Sequence, residues 1–357
     1  RVVEFRIRAQ PPGDHVCNPK SNRSMKHWMG IDVSRATLEV ALLDNHGVRV
    51  GTASVKNERK AVTSLLKRWT KELGVDQERL LICLEPTSHY SNGLLRWLVE
   101  ADMRVWLAHP SDIQHSIGSK RGKSDKVDAL RIAEYAKRFQ DKATLFTVER
   151  LKYTGLRQLI TRRNQLVRDR VKHQKQLADL NRCAEEHLQA MFARLDRRQL
   201  RLLEKLIAEV DGMILDAIKA EPELHRLYKL ILTVPGVGPV LAANLLAITE
   251  GFTRFKKARA LSCHAGAAPY EHSSGTSVRG RKRVSPKANQ GLKALLHICA
   301  LGTITRDGEL KDYWLRKLAE GKHKMSILNA IRNKIIHRVC AVVQRGTPYL
   351  PTPVAIA

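Results

Sequence analysis

The stretch WMGIDVSRATLEVALL, residues 28–43, decides the fold. Trp28–Val33 is a short apolar run, and Thr37–Leu43 alternates apolar and polar, so both read as strands. A turn at Asn45–Gly47 leads into a third strand-like run, Val48–Val55. Downstream, Lys60–Leu73 has helical spacing, with Val62, Leu65, Leu66 and Trp69 on one face. Leu80–Leu84 (LLICL) reads as a buried strand, Asn92–Ala101 as a helix, Val105–Ala108 as another strand, and residues 125–138 as a helix. Three early strands followed by alternating helices and strands predict an α/β domain with a mixed sheet over residues 25–148.

Beyond it the character changes. Residues 149–230 lack strand patterning. Leu177, Ala184 and Met191 recur at seven, as do Leu188, Leu195 and Leu202, with Arg and Lys between them. This predicts two or more long helices forming a coiled-coil hairpin or oligomerisation arm, the alternative being a stripe that simply faces the core. Residues 231–357 form a third block, helical at both ends with a Gly/Ser/Arg-rich middle from about Cys263 to Gln290. The expected class is thus α/β plus all-α. Residues 1–24 are polar and Pro-containing and are expected to be a disordered leader outside the fold.

Charge narrows the partners. Among 357 residues, 63 Lys and Arg oppose 35 Asp and Glu, a net charge of +28. Such a chain repels itself unless a polyanion neutralises it, which favours nucleic acid over small acidic substrates. No apolar run approaches the roughly 18–20 residues that cross a bilayer, so no membrane partner is expected. The six cysteines (Cys17, Cys83, Cys183, Cys263, Cys299 and Cys340) contain no C-x-x-C pair. That argues against a zinc ribbon or a disulfide framework and fits a reducing cytoplasm.

A merely basic protein needs no acidic cluster, yet carboxylates stand at telling places. Asp32 ends the first strand and Glu85 ends LLICLE, while Asp125 and Asp128 share one helical face at i and i+3. If the first and fourth strands are neighbours, as in an RNase H-like sheet, Asp32 and Glu85 meet at their ends, and a helix packed on the sheet delivers the other two. Four converging carboxylates suit divalent cations such as Mg²⁺. The plainer reading is that each is a solvated or helix-capping group, which the Ser124-Asp125 helix start would explain by itself.

Basic and glycine-rich segments supply candidate phosphate contacts. Lys120, Arg121 and Lys123 immediately precede Asp125. VPGVG at 234–238 resembles a helix–hairpin–helix whose Gly236 and Gly238 let backbone N–H groups approach a phosphate, against the alternative of a plain connecting turn. Ser273, Ser274, Thr276 and Ser277 lie beside Arg279, Arg281, Lys282 and Arg283, with Lys287 and Lys293 further on. This segment either holds an attacking serine against a phosphate or is a flexible loop that touches backbone phosphates.

Five motifs in order carry a resemblance: G-I-D at 30–32, E-P-T-x-x-Y at 85–90, S-D-K-V-D at 124–128, V-P-G-V-G at 234–238 and A-G-x-x-P-x-x-x-x-S-G-x-S-V-R-G at 265–280. Over about residues 25–350 the chain resembles the DEDD insertion-sequence transposases, the family of bridge-RNA-guided recombinases. The resemblance implies a RuvC-like domain with Asp32, Glu85, Asp125 and Asp128 as Mg²⁺ ligands, and an oligomerising helical arm giving a dimer or tetramer. It implies a C-terminal domain whose nucleophile is Ser274, with Ser273 the adjacent alternative. It further implies a covalent phosphoserine link to DNA, an active site composed from different subunits, and a structured noncoding guide RNA that pairs with donor and target DNA. Location would be cytoplasmic and nucleoid-associated, in a prokaryote. The chain departs from the family at Ser88, where many members carry Gly, and at Pro286 and Ala288, where Lys and Gly are frequent. Two other readings compete: a RuvC-like structure-specific nuclease that uses water, and a nonenzymatic nucleic-acid scaffold.

Overall fold

The computed structural model describes residues 24–86, 90–116, 124–255, 257–274, 278–284 and 288–350, and for 270–274 and 278–283 the backbone. The chain divides between Glu149 and Arg150 into two compact units.

The first unit is built on β1 (His27–Val33), β2 (Thr37–Leu43), β3 (Arg49–Lys56), β4 (Leu80–Leu84) and β5 (Arg104–Leu107). They form one sheet in the order β3-β2-β1-β4-β5. β1 runs antiparallel to β2 and parallel to β4, β2 antiparallel to β3, and β4 parallel to β5. This is the mixed sheet of an RNase H-like domain. All five residues of β4 are buried, as the unbroken run LLICL requires of a strand covered on both faces. Helices α1 (Arg59–Leu73) and α2 (Ser91–Glu100) pack on each other and against β3 and β5. α3 (Pro110–Ser116), which no periodicity in the sequence marked, packs against α4 (Asp125–Arg138). Trp28, Leu81, Cys83 and Trp106 form the α4-side core with Ile113, Ile132, Tyr135 and Ala136.

The second unit begins with two long helices, α5 (Val148–Cys183) and α6 (Glu186–Lys219), joined by a turn at Ala184–Glu185. Arg163 pairs with Asp211 and His173 with Asp196, so the helices run antiparallel as a hairpin. The turn interrupts the spacing of Leu177, Ala184 and Met191. These residues do not share one helical face, because a heptad is meaningful only while the helix continues. At the base, Tyr153, Leu156, Ile160, Ile214 and Ile218 enter the core of α7 (Pro222–Leu232), α8 (Pro239–Thr249), α9 (Ala258–His264), α10 (Gln290–Ile304), α11 (Glu309–Ala319) and α12 (Lys324–Arg345). Between α9 and α10 the Gly/Ser/Arg-rich segment folds as an antiparallel ribbon, β6 (Tyr270–Ser274) and β7 (Val278–Arg283).

One ion-pair cluster fastens α5 to α8. Glu250, only 5 % exposed, receives two hydrogen bonds from Arg150 (2.7 and 2.9 Å) and one from Arg157 (2.7 Å). Glu250 is the left-handed C-cap of α8, at φ 52°. Burial works to raise its carboxyl, but the arginine hydrogen bonds and charges outweigh that and hold it below the ordinary glutamate value.

Candidate functional site

The sheet explains why the first two carboxylates meet. β1 and β4 are parallel, and their last registered pair is Ile31 with Leu84, so Asp32 and Glu85 are the next position on each chain. Strand side chains alternate between faces. Leu81 and Cys83 face α4, so Glu85 has the parity of the α4 side. Trp28 likewise faces α4, which gives Gly30 and Asp32 the same side.

Gly30 sets how closely the helix approaches. A Cβ there would stand 2.1 Å from the Ala129 carbonyl oxygen and 2.3 Å from the Ala133 nitrogen, so α4 lies directly on the β1 backbone. From that contact, two residues along β1 advance about 6.6 Å to Asp32. Four residues back along α4, from Ala129 to Asp125, cover about 6 Å. The strand end and the helix N-terminus therefore reach the same region. The buried stripe Ala129, Ala133 and Ala136 is small enough to permit the approach. Ser124 caps the helix by accepting a hydrogen bond from the Val127 N–H (3.4 Å), and Asp125 and Asp128 lie in the first turn, where the helix dipole favours anions.

Electrostatics register the convergence. The half-buried Asp32 carboxyl is pushed up to about 6, first by burial, then by the charges of Asp125, Asp128 and Glu85, against one backbone hydrogen bond from Val33. Asp128 also pairs with Arg131 at 2.9 Å. Among the described residues, no three His, Cys, Asp or Glu side chains stand close enough together to hold a metal ion as placed. The donor chemistry nevertheless fits a hard divalent cation: oxygen ligands on a partly buried floor, with a surplus of negative charge that a cation would relieve.

Sequence reading missed a residue that ties this site together. Asn57 donates from Nδ2 to the Ser34 carbonyl (3.1 Å) and the Tyr90 carbonyl (3.2 Å). It thereby links the turn after Asp32 to the chain just beyond Glu85. An Asn after a strand carries no signal of such a role, since both partners are distant backbone atoms.

In the second unit, Ser274 ends β6 opposite Val278, and Ser273 opposes Arg279. Arg281, Lys282 and Arg283 continue along β7. Lys120, Arg121, Lys123 and Lys287 lie outside the described residues, as do Ser88 and Pro286. In the VPGVG turn, Gly236 has φ 88°, and a Cβ would fall 2.2 Å from the Thr303 methyl of α10, so close packing demands glycine there. Gly238 is the N-cap of α8. Its N–H is directed at Cys299, whose thiol burial pushes up. A cavity of about 450 Å³ opens beside the turn, with Pro235, Gly236, Arg306 and Arg338 in its wall.

A carboxylate cluster at the end of an RNase H-like sheet, on so basic a chain, defines a nucleic-acid-processing protein. Residues 29–182 match the DEDD transposases of IS110 type, described as transposase, and residues 228–315 match the transposase IS116/IS110/IS902 family. The pilin gene-inverting protein of Moraxella lacunata is 24% identical over 333 residues, covering 91% of this chain and 98% of its own. The transposase for insertion sequence element IS1111A of Coxiella burnetii is 24% identical over 362 residues, covering 92% and 93%. The uncharacterized 44.8 kDa protein of insertion element IS116 from Streptomyces clavuligerus is 24% identical over 382 residues, covering 88% and 94%. Among solved structures, T. thermophilus RuvC in complex with Holliday junction substrate is similar over 34% of this chain and 99% of that one, at 14% identity and a TM-score of 0.26. That likeness is too slight to argue from, and the fold assignment stands on strand order. The chain belongs to the IS110/IS116 family of insertion-element transposases.

Proposed function

We propose that the chain cuts and exchanges DNA strands through a covalent phosphoserine link at Ser274, with Mg²⁺ held by Asp32, Glu85, Asp125 and Asp128. The observation that supports the metal half of this reading is the gathering of Glu85, Asp125 and Asp128 around the half-buried Asp32, whose carboxyl burial and then their charges raise, in a chain of net charge +28. Like charges crowded at one point are costly unless a proton or a cation compensates them, and a divalent ion would do so here. A divalent ion there would polarise the scissile phosphodiester and stabilise its developing charge. The Ser274 oxygen attacks phosphorus, an Oγ–P bond replaces a P–O bond of the strand, and the hydroxyl proton passes through solvent to the departing strand oxygen, which leaves as a strand hydroxyl. A serine hydroxyl is a weak nucleophile at neutral pH, so a polarised phosphate with Arg279 across the ribbon suits it better than a general base would.

The reading extends to partners. Basic groups, including Lys120, Arg121, Lys123, Arg281, Lys282, Arg283 and Lys287, hold nucleic-acid backbone, while a structured noncoding guide RNA selects donor and target DNA by base pairing. The outer α6 face leaves Met191, Leu195 and Leu202 at 42%, 50% and 57% exposure, which supports pairing with another copy in a dimer or tetramer. The active site is then composed from different subunits.

The test is a denaturing gel for a protein–DNA adduct, using purified protein, RNA from the flanking region, Mg²⁺ and labelled donor and target duplexes. An adduct in the wild type and none with Ser274→Ala is the expected result. Free cut ends in equal amount from both proteins would instead establish a water-using nuclease.

A further inference from the structure

The stem of the β6–β7 ribbon is clamped onto a floor of three helices. Gly266, just before β6, is left-handed at φ 65°, and a Cβ there would stand 2.9 Å from Ala288 Cβ and 3.1 Å from Val284 Cγ1. The chain entering the ribbon thus touches the chain leaving it. The Asn289 N–H donates to the His264 carbonyl at the end of α9 (2.8 Å), and the Asn289 side chain caps α10 by accepting from the Leu292 N–H (2.9 Å). From α12, Asn329 donates through Nδ2 to the Ala267 carbonyl (2.9 Å), three residues before β6 begins.

One turn along α12 from Asn329 stands Arg332. It is 6 % exposed, its Nε is enclosed without a hydrogen-bond acceptor, and no carboxylate among the described residues pairs with it. Burial alone pulls its pKa below the ordinary arginine value. Glu250, the other deeply buried charge among the described residues of this unit, is by contrast matched by two arginines. The helices packed on α12 carry further unsatisfied groups: Ser262 Oγ on α9, fully buried, and His297 Nδ1 on α10. Lys293 lies one turn before His297 on α10.

This chemistry is weighted toward donors, Asn333 Oδ1 on α12 being an enclosed acceptor that also lacks a partner. A guanidinium cannot shed its proton as a buried lysine can, so burial without an anion leaves it charged and uncompensated. Serine hydroxyl and imidazole can also donate, and neither Ser262 Oγ nor His297 Nδ1 has an acceptor among the described residues. The missing component is an oxyanion, and a guanidinium fork matches a phosphate better than any other side chain does.

We propose that Arg332 is a phosphate-binding residue whose guanidinium takes a backbone phosphodiester of the DNA strand engaged by the β6–β7 ribbon. The inference rests on the strand-exchange reading for the identity of the anion, but not for the existence of the anion site. Arg332 binds and positions the strand; bond making remains with Ser274.

The test compares the full-length wild type with Arg332→Met, Arg332→Lys and Ser274→Ala. Without added anion, Arg332→Met melts at or above the wild-type temperature, because an apolar chain of similar length replaces an uncompensated charge. A clear fall in melting temperature would show that the arginine is a structural strut and overturn the proposal. Inorganic phosphate, against sodium chloride of equal ionic strength, raises the wild-type melting temperature. That rise is at least halved in Arg332→Met, partly kept in Arg332→Lys and fully kept in Ser274→Ala. An equal rise in wild type and Arg332→Met would also overturn it. In the adduct assay, Arg332→Met lowers the initial rate roughly ten- to hundredfold, the range set by losing one charge-assisted contact. Should the wild type form no adduct while the phosphate response still depends on Arg332, the recombinase reading fails and the anion site stands.

Discussion

Asp32 and Glu250 are both carboxylates withdrawn from water, one in each compact unit, and their surroundings drive them in opposite directions. Asp32 is lifted to about 6 by burial and three like charges. Glu250 is more deeply buried yet lowered, because Arg150 and Arg157 close on it. Burial alone does not separate a site from a strut; the sign of the neighbours does. A carboxylate gripped by arginines is complete and fastens helices. One crowded by carboxylates carries uncompensated charge, which the proposed divalent ion would relieve.

The sharpest way to break the comparison is to remove each charge. On the proposed reading, Asp32→Asn is expected to lower strand cleavage by roughly a thousandfold or more, as loss of a group that would hold a charge-stabilising ion at the reacting phosphate should. The same change leaves the metal-free protein at least as stable as the wild type. Glu250→Gln reverses the pattern. It strands two partly buried arginines and is expected to cost about 3–5 kcal/mol in urea unfolding of the second unit, while single-turnover cleavage by the folded fraction stays within a few-fold. If Asp32→Asn destabilised the metal-free protein and Glu250→Gln did not, the division between site and strut would be wrong.

Gly30→Ala probes the frame instead of the charges. The added methyl would overlap the α4 backbone, at Ala129 and Ala133, where no flexible side chain can yield. A cost of about 2–3 kcal/mol is expected, and the displaced helix would carry Asp125 and Asp128 away from Asp32. Cleavage should therefore fall further than the folded fraction does, which circular dichroism and single-turnover cleavage on one sample would separate. Loss in strict proportion to folding would mean that α4 does not position the carboxylates.

The sequence disclosed these regions unequally. Residues 125–138 are the bounds of α4, and LLICL is β4, because periodicity and an unbroken apolar run report regular, buried elements. The convergence of Asp32 and Glu85 could be anticipated because strand ends and topology suffice to place it. The ribbon could not: glycine, serine and arginine have little strand preference, and its stem is held by Asn289 just beyond it and by Asn329, which is 62 residues from its partner Ala267. The Glu250 cluster was invisible for the same reason, its partners lying 100 and 93 residues away. Asn57 and Arg332 likewise acquire meaning only from what packs around them, or fails to.

The smallest expected effect is on pH dependence, and it discriminates well because the two carboxylates have opposite signs. Asp32 binds its proton more tightly when folded than when unfolded, where an aspartate titrates near 3.8. Its contribution to metal-free stability is full below that value and is lost as pH rises through about 6. Glu250 is lowered on folding, so its contribution is full above the unfolded glutamate value of about 4.5 and is lost as pH falls through its own depressed value. Between pH 5 and 7.5, then, Glu250 is silent and Asp32 is not. Metal-free wild type should lose on the order of 1 kcal/mol relative to Asp32→Asn across that interval, after allowance for solvent screening of a half-buried group. Added Mg²⁺ should remove the loss by binding the ionised form. Melting curves of the two proteins at pH 5 and 7.5, with and without Mg²⁺, measure it. Parallel curves in all four conditions would mean that the carboxylates do not sense one another, and the cluster would reduce to four separate surface charges.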